Sequence, residues 1–452
     1  MSKNVVIVGG GLAGLATAIY LARGGRPVSV FEKRRYLGGR AITQLRQGYR
    51  FNLGAHALYR NGAGASVLRE LGIPIRGTTP RPKSIALSNG DERRLPTNWW
   101  SLLATSLLSL RAKAQLASSL WHIRRFGGAQ AGNLTVAEWL QANVSDSGAR
   151  RVLAALLRLA SYSDHPDTAA AGLVLAQMQA GLRGGVLYID EGWQRIVDSL
   201  HSAAVSSGVN FISSSRIVGV DYEEGRVRSV RLGGLELDSD RMDTQAFAYP
   251  LPAPEQVHGA PLPADTVVLA VDPTTATELA GDAAASWPAA RPVTAACLDV
   301  ALRALPNPKK TFALGIDDPI YFAVHSAWAQ LAPKGGVLIH TVKYRQEESA
   351  TDIEIDGERT TRRDAASAAD ERTLEALLDR MQPGWRDVLV HRRFLPSMTV
   401  SNALVTPSSP RPPVTTKVPG LYIAGDWVGS EGLLSDAALS SARAAAKAIL
   451  ST

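Results

Sequence analysis

The chain has 452 residues, of which 45% are hydrophobic and 20% charged, a composition typical of a globular protein with two or three domain-sized units. The net charge is +8, but the Lys and Arg residues are scattered and form no basic stripe interleaved with aromatic residues, so we expect no nucleic-acid partner. The single cysteine excludes an intrachain disulfide and a cysteine-based metal site, and we expect no metal.

The first predicted element is a buried β-strand that leads into a glycine-rich turn. Four apolar residues, 5–8, precede Gly9, Gly11 and Gly14, which have the spacing G-x-G-x-x-G. An alanine-rich helix follows, and a second apolar strand ends at Glu32. In this context the first glycine forms a tight turn, the second lets the backbone approach a pyrophosphate, and the third lets the helix pack on the strand. Glu32 is placed to bind ribose hydroxyls, so the segment predicts a dinucleotide site.

The residues after the second strand indicate which dinucleotide is bound. Residues 32–34 are Glu-Lys-Arg and residues 38–40 are Gly-Gly-Arg, which gives the pattern E-x-R-x-x-x-G-G-R. This pattern resembles the corresponding segment of the flavin amine oxidase and phytoene desaturase superfamily. The resemblance implies FAD, with the paired glycines and the arginine along the diphosphate and ribityl chain. An arginine suits phosphate oxygens because it forms charge-assisted, often bidentate hydrogen bonds.

A second segment that resembles the superfamily lies near the C-terminus. Ala424-Gly425-Asp426 follows an apolar strand, and the resemblance implies that the aspartate holds a ribityl hydroxyl. The following alanine-rich helix resembles the family pattern G-A-x-x-S-G-x-x-A-A, except that Asp436 and Ser441 stand where the family usually has glycine. In the family the N-terminus of this helix faces the flavin. Asp436 is near that end, where its carboxylate could cap the helix or could disfavour an anionic flavin.

Three further positions follow from the resemblance. Leu53-Gly54-Ala55-His56 occupies the place of the family's Asp-x-Gly-x segment beside the flavin, with Asn52 in place of the usual aspartate, and the backbone of Ile217 is expected against adenine. Cys297 lies outside the segment that carries the flavin-linked cysteine of covalent amine oxidases, so FAD is expected to be non-covalent. The residues expected to bind FAD are Gly9, Gly11, Leu12, Ala13, Gly14, Glu32, Lys33, Arg34, Gly39, Arg40, Ala55, His56, Ile217, Gly425, Asp426, Leu434 and Ala437.

The order of motifs predicts an α/β protein in which the FAD-binding domain, of Rossmann type, is assembled from three pieces. These pieces are 1–76, 185–273 and 395–452. Two insertions, a helical one over 77–184 and a strand-rich one over 274–394, are expected to form an α+β substrate domain. Segment 185–273 contains no second G-x-G-x-x-G between a strand and a helix, so we expect no built-in NADPH site.

Histidines are the candidates for acid–base chemistry, since their pKa is close to neutral pH. The resemblance places His56 at the flavin, where it is a catalytic candidate or a residue that only shapes the site. Strand alternation puts His325 on one face with Tyr321, and His340 is a second possibility in the next strand; both could equally be packed histidines of a sheet. The lysine that bridges water to the flavin in many amine oxidases cannot be assigned among Lys309, Lys310 and Lys343.

Residues 99–126 form an apolar run that begins with two tryptophans and is flanked by Arg and Lys. It predicts either an amphipathic helix pair that dips into a bilayer surface or helices packed over the substrate cavity. No uncharged apolar run reaches the about 18 residues that span a bilayer, and the chain starts with a core strand rather than a leader. We therefore expect a cytoplasmic protein, with peripheral membrane contact as an open alternative and the oligomeric state undetermined.

Together these features predict a phytoene dehydrogenase-like, FAD-dependent oxidoreductase. It would dehydrogenate, desaturate or isomerise a mainly apolar small molecule, such as an isoprenoid-like or polycyclic substrate, with oxygen or a quinone as electron acceptor. Two alternatives stay open. One is a flavin amine oxidase acting on a C–N bond, and the other is a non-catalytic flavin-binding or lipid-carrier protein.

Overall fold

The computed structural model describes residues 4–233, 261–346, 352–355 and 358–452. The α-helices are α1 Leu12–Arg23, α2 Ala63–Glu70, α3 Trp99–Ala104, α4 Leu110–Phe126, α5 Val136–Asn143, α6 Ser147–Ser161, α7 Ala171–Gly184, α8 Gln194–Ser206, α9 Pro273–Ala280, α10 Arg362–Met381 and α11 Leu434–Leu450. The strands are β1 Val5–Val8, β2 Val28–Phe31, β3 Thr43–Arg46, β4 Tyr49–Asn52, β5 Leu58–Tyr59, β6 Gly77–Thr78, β7 Ser84–Ser88, β8 Asp91–Arg94, β9 Val186–Ile189, β10 Asn210–Ile212, β11 Ile217–Glu223, β12 Arg226–Leu232, β13 Pro261–Pro263, β14 Thr266–Leu269, β15 Val293–Leu302, β16 Phe312–Gly315, β17 Ile320–Val324, β18 Val337–Tyr344, β19 Asp352–Ile355, β20 Glu358–Thr361, β21 Leu389–Ser401 and β22 Leu421–Ile423.

The first layer is a five-stranded parallel sheet with the strand order β10-β2-β1-β14-β22. Strands β1, β14 and β22 are buried along their whole length, which explains why they are continuous apolar runs. Helix α1 packs between α8 and α11 on this sheet. Strands from the beginning, the middle and the end of the chain thus share one sheet, and their carboxyl ends meet at one edge.

The second layer is a seven-stranded sheet with the order β21-β15-β18-β17-β16-β7-β8. Its pairs are antiparallel except for β16 with β7. One face packs on α10 through a hydrophobic cluster that includes Leu374, Leu378 and Trp385. The other face shares a larger hydrophobic cluster with α4, α6 and α7. Because apolar side chains cover both faces, strands β15 to β18 are buried almost along their whole length, whereas the edge strand β8 is exposed.

The mixed α/β class matches the prediction, and the two sheets show how the predicted segments combine. The hairpin β7–β8, which lies in the segment 77–184, joins the sheet formed by the strands of 274–394. Strand β21 runs past residue 394, where one predicted boundary falls, and ends at Ser401. The segment 185–273 includes 234–260, which lie outside the described residues.

Candidate functional site

A large cavity, of about 1520 Å³, lies between the carboxyl edge of the parallel sheet and the helices packed on the second sheet. The turn after β1, the residue after β2, the residues after β14 and the turn after β22 all contribute to its wall. Crevices at the carboxyl ends of parallel strands are the usual ligand sites of such sheets. The predicted cofactor residues that line this cavity are Gly9, Gly11, Leu12, Ala13, Glu32, Lys33, Arg34, Gly39, Arg40, Ala55, His56, Ile217, Gly425, Asp426 and Leu434.

The glycines of the turn have two different roles: Gly9 and Gly14 allow close packing, and Gly11 faces open space. Gly9 has φ +107°, and a Cβ added there would lie 2.5 Å from the carbonyl oxygen of Ala270. A Cβ on Gly14 would lie 1.9 Å from the carbonyl oxygen of Gly9, so this residue lets α1 sit close to β1 although it does not line the cavity. At Gly11 a Cβ would meet nothing within 4 Å. The turn therefore leaves a cradle at Gly11 beside the N-terminus of α1, a typical anion-binding arrangement.

Glu32 fixes the shape of this turn from the end of β2. One carboxylate oxygen accepts a hydrogen bond from the backbone N–H of Gly10 at 2.8 Å, and the other accepts from the backbone N–H of Arg34 at 3.0 Å. Burial raises the pKa of Glu32, although both backbone hydrogen bonds oppose the shift. Each oxygen retains lone-pair capacity for a ligand hydroxyl on the cavity side.

At the C-terminal motif, Asp426 is the centre of a charged cluster. Arg40 Nη2 lies 2.7 Å from Asp426 Oδ1, and Asn402 donates to both carboxylate oxygens, from Nδ2 at 2.9 Å and from its backbone N–H at 3.0 Å. Burial favours the neutral acid, but the Arg40 guanidinium and the Asn402 donors outweigh it, so the pKa of Asp426 is lowered. The two predicted motifs, about 390 residues apart in sequence, are thus joined directly by an ion pair.

Of the two roles considered for Asp436, the structure does not show the helix cap. Helix α11 has no side-chain cap, and the Asp436 carboxylate instead accepts from the backbone N–H of Gly64, in the first turn of α2, at 2.8 Å and from Gln177 Nε2 at 3.2 Å. A Cβ on Gly62 would lie 2.2 Å from this carboxylate, so the glycines of α2 make room for it. Burial raises the pKa of Asp436 to about 6. Neither Asp436 nor the neighbouring Ala437 lines the cavity.

His56 lies on the cavity wall with one ring nitrogen fixed. Its Nδ1 is 3.1 Å from the carbonyl oxygen of Gly54, which can only accept, so Nδ1 carries the proton and Nε2 is an acceptor in the neutral ring. The ring packs edge-on against Trp193, and burial lowers the pKa of His56 to about 4. The imidazole is therefore neutral near pH 7. Asn52 does not line the cavity; its side-chain oxygen accepts from the Thr43 hydroxyl and the Trp193 backbone N–H.

The half of the cavity away from the parallel sheet has aliphatic and aromatic walls. The apolar or aromatic residues that line it are Tyr59, Leu156, Leu159, Ala160, Tyr162, Met178, Val186, Tyr188, Phe312, Tyr321, Leu395, Met398 and Val400. Within the described part of the chain, the acidic residues of the lining are Glu32, Asp272 and Asp426, and all three lie at the parallel-sheet half.

The structure places His325 behind this wall rather than on it. The residue follows β17, is 1% exposed, and its ring stacks on Tyr188 with centroids 4.0 Å apart. His325 Nε2 lies 3.0 Å from the hydroxyl of Tyr321. His340, the second candidate, is fully buried and pairs with Asp299. Neither histidine is in the cavity lining, so contact with a ligand passes through the tyrosines.

Near these histidines lies a cluster of side chains with the spacing of metal ligands, but its carboxylate forms an ion pair with an arginine instead. The side-chain ligand atoms of Cys297, Asp299 and His340 all lie within 4.8 Å of one another. However, Arg393 also binds the Asp299 carboxylate, with Nη2 2.5 Å from Oδ2. A cation at this position disfavours a metal ion, and the carboxylate is already matched by hydrogen bonds. Our prediction of no metal stands as a prediction.

A family model described as flavin containing amine oxidoreductase matches residues 12–450. The chain belongs to this family. Membership confirms the predicted superfamily and the class of enzyme, a flavin-dependent oxidoreductase. Among curated proteins, a putative flavin-containing monoamine oxidase of Mycobacterium tuberculosis is 28% identical over 174 residues, which cover 36% of this chain and 38% of that protein. A carotenoid 3,4-desaturase of Haloarcula japonica is 48% identical over 52 residues, 12% of this chain and 10% of that protein.

Solved structures of the family share the fold along the whole chain. An oxidoreductase from Methanosarcina mazei has a TM-score of 0.72 at 17% identity and covers 99% of this chain and 100% of its own. A putrescine oxidase bound to putrescine has a TM-score of 0.68 at 16% identity and covers 100% of both chains. At this identity the likeness concerns the fold. The two curated relatives match over only 38% and 10% of their own length, so the substrate of this family member must be argued from its own cavity.

Sequence reasoning missed the residues of this flavoprotein that come from outside the motifs. Asn402, which clamps Asp426, lies just beyond the end of β21, and no local pattern marks it. Tyr188 lies in β9, far in sequence from the Tyr321 hydroxyl that it contacts at 3.2 Å. The alternation of side chains along β17 does give a signal for Tyr321, because it places Tyr321 and Ala323 on the same face of the strand.

Proposed function

We propose that the protein is an FAD-dependent oxidoreductase that dehydrogenates or desaturates a mainly apolar small molecule, or isomerises it through flavin redox chemistry. The observation that carries the substrate class is the lining of the second half of the cavity, which is mainly aliphatic and aromatic and, within the described residues, has no carboxylate. An apolar ligand gains free energy from such walls, about 25 cal/mol per Å² of apolar surface removed from water. A cationic ligand would lose its hydration there without a counter-charge.

FAD is the flavin that fits the other half. Its pyrophosphate would lie at the open cradle of Gly11 and the N-terminus of α1, and its ribose at Glu32. The Arg40–Asp426 pair would hold the ribityl chain, and the backbone of Ile217 would face adenine. When bound, the isoalloxazine ring would accept a hydride from the substrate.

We propose that this FAD is held without a covalent bond. Cys297 is fully buried, does not line the cavity, and burial raises the pKa of its thiol well above its usual range. A protonated thiol with no access to the cavity is a poor nucleophile. The cofactor unit would consist of segments 1–76, 185–273 and 395–452, and the substrate unit of 77–184 and 274–394, with β21 extending the substrate unit to Ser401.

Amine oxidation is the second candidate, because the family name and the Mycobacterium relative point to it. The lysines that were candidates for its water-bridging residue do not support it. Lys310 binds Glu92 at 2.7 Å and Lys343 binds Asp370 at 2.7 Å, both away from the cavity. Lys309 also lies outside the lining. Nothing in the described residues replaces them, since the only lysine of the lining, Lys33, follows β2 at the parallel-sheet half.

We also propose that the protein takes its substrate from a membrane surface. Trp99 and Trp100 at the start of α3 are 63% and 78% exposed, and Leu110 at the start of α4 is 85% exposed. Asn98, which caps α3, lines the cavity, so this apolar patch adjoins the site. The other face of α4 packs on the core, so both predictions for this run are compatible. Within the described residues, no helix has the length and apolar character to cross a bilayer.

The protein would then lie in the cytoplasm and at its membrane surface, and oxygen or a quinone would reoxidise the reduced flavin.

The experiment that tests the proposed function is anaerobic mixing of the flavin-loaded protein with a long-chain polyene in detergent and, separately, with primary amines and diamines. We expect the oxidised flavin band to bleach with the polyene and a new double bond to appear in the product by mass spectrometry. Bleaching by amines alone would establish the second candidate, and bleaching by neither class would favour a non-catalytic flavin-binding or carrier protein.

A matched pair of variants tests the substrate class more sharply. Leu159→Asp introduces a carboxylate into the apolar wall, whereas Leu159→Met keeps its character and approximate volume. Leu159→Asp should lower the rate of bleaching by the polyene at least about tenfold, because an unpaired buried carboxylate costs more than about 1.4 kcal/mol. Leu159→Met should stay within about threefold of the wild type.

A further inference from the structure

A chain of polar side chains is buried behind the apolar wall of the cavity. It starts at Tyr321, a residue of the cavity lining whose hydroxyl lies 3.0 Å from His325 Nε2 and 3.2 Å from the hydroxyl of Tyr188. It ends at Asp299, whose Oδ1 lies 2.5 Å from His340 Nδ1. Strands β17 and β18 pair with Ala323 opposite His340, so these side chains share the sheet face that carries the cavity wall.

The middle of this chain contains two ring nitrogens without a partner. His325 Nδ1 and His340 Nε2 are both buried, and neither has a hydrogen bond within the described residues. The two rings meet edge to face with centroids 4.5 Å apart. A buried polar atom left unpaired costs about 1–3 kcal/mol, so two such atoms in adjoining rings call for an explanation. A hydrogen bond between these two nitrogens would satisfy both.

The protonation states of the chain follow from its charged end. Arg393 binds Asp299 Oδ2, and together with His340 it outweighs the burial of the carboxyl and keeps the pKa of Asp299 far below its usual range. An ionised Asp299 can only accept, so His340 donates to it from Nδ1, and in a neutral His340 ring the Nε2 atom is an acceptor. His325 must then donate from Nδ1, which leaves its Nε2 to accept from the hydroxyl of Tyr321. In this arrangement of hydrogen bonds, each neutral imidazole donates one bond and accepts one.

We propose that Tyr321, His325, His340 and Asp299 form a proton relay that takes up the proton released when the substrate is oxidised. This inference rests on the proposed function. Tyr321 would be the catalytic residue, since it alone of the four lines the cavity, and the other three are positioning residues.

The proton balance of the dehydrogenation is as follows. One C–H bond of the substrate would break with its electron pair, and bound flavin would be the oxidant that accepts the hydride. The adjacent C–H bond then breaks, its electron pair forms the C=C bond, and its proton goes to the Tyr321 oxygen. The phenolic proton moves at the same time to His325 Nε2, and the imidazolium is stabilised by the charge of Asp299 through His340. A weak neutral base is sufficient, since a C–H bond next to a carbon that has lost a hydride is strongly acidic.

The substitution that tests the relay is Tyr321→Phe, which removes the hydroxyl and keeps the ring. We expect the rate of flavin bleaching by the substrate to fall about 100-fold or more, the usual contribution of a positioned proton acceptor, with unchanged flavin content. Tyr344→Phe is the matched control, because the Tyr344 hydroxyl is buried without a partner in the same sheet and does not line the cavity. A Tyr321→Phe rate equal to that of Tyr344→Phe would overturn the relay.

A second readout needs no substrate. Nitrogen-15 NMR of the histidine side chains in the wild-type protein near pH 7 should show His325 and His340 as neutral rings protonated at Nδ1. A proton on Nε2 of either ring, or a charged ring, would contradict the order of donors and overturn the relay. The two measurements also separate this inference from the proposed function. If no substrate class bleaches the wild-type flavin, the proposed function fails, and the tautomers alone decide whether the hydrogen-bonded chain exists.

Discussion

Two substitutions in the glycine-rich turn should affect different properties. Gly14→Ala should lower the stability of the protein, and Gly11→Ala should weaken flavin binding without lowering stability. Gly14→Ala places a Cβ 1.9 Å from the carbonyl oxygen of Gly9, well inside van der Waals contact, in a turn of buried backbone that cannot easily move. Overpacking of this kind costs about 1–3 kcal/mol. Gly11→Ala places its Cβ in open space, and its φ of −77° and ψ of −176° are accessible to alanine. The flavin-free Gly11→Ala protein should therefore be as stable as the wild type or up to about 1 kcal/mol more stable, because alanine restricts the unfolded chain.

Flavin affinity should follow a different order from stability. The methyl group of Gly11→Ala occupies the surface that the pyrophosphate is proposed to approach, and it removes about one charge-assisted hydrogen bond. Such a bond contributes about 1.5–3 kcal/mol, so the dissociation constant should rise roughly 10- to 150-fold. The assays are urea titration of the flavin-free protein and fluorescence titration with FAD.

Gly172→Ala is the control for these two variants. Gly172 lies in α7, does not line the cavity, and a Cβ there would make only an ordinary contact of 3.6 Å, so FAD affinity should not change. Gly11→Ala with wild-type affinity would refute the proposed position of the pyrophosphate. Gly14→Ala with wild-type stability would refute the argument from close packing.

Three other outcomes follow from the site. Asp426→Ala should lower the unfolding free energy of the flavin-free protein by about 2 kcal/mol, because hydrogen bonds to a charged group are lost and the Asn402 donors are left unpaired. An unchanged midpoint in a urea titration would contradict this prediction. As the pH falls from about 6.5 towards 4, the unfolding free energy of the wild type should fall more steeply than that of His56→Gln. In this range the unfolded chain protonates His56, whereas the folded protein, in which the pKa of His56 is lowered to about 4, does not. Parallel slopes in urea titrations at several pH values would count against this prediction. The double substitution Trp99→Ser and Trp100→Ser should abolish flotation of the protein with anionic vesicles at low salt, and a wild-type protein that does not float would contradict the proposed membrane contact.

The nucleotide half of the site could be predicted from the sequence because its residues are tied to local geometry. The tight approach of Gly14 to the carbonyl of Gly9 is a property of one strand–turn–helix segment, so spacing alone indicates it. Glu32 is fixed by hydrogen bonds to Gly10 and Arg34, within about 22 residues of chain. Such short-range constraints leave a pattern that a single sequence displays.

The substrate half could not be predicted in the same way. Tyr188 and Tyr321 meet only because β9, which pairs with β5 and β6, lies beside β17 of the seven-stranded sheet, and neither segment has a motif. The position of the Asp436 carboxylate could not be predicted for a similar reason. The carboxylate is drawn to the first turn of α2 because Gly62 and Gly64 leave space there, and those residues are about 370 positions earlier in the chain.

The most direct test of the central claim is to purify the protein without added cofactor, denature it, and identify what is released by chromatography against FAD and FMN standards. We expect a yellow protein that releases FAD in about equimolar amount and leaves a colourless chain. Correctly folded protein that is colourless and does not take up added FAD would contradict the account, as would a flavin that stays attached to the denatured chain.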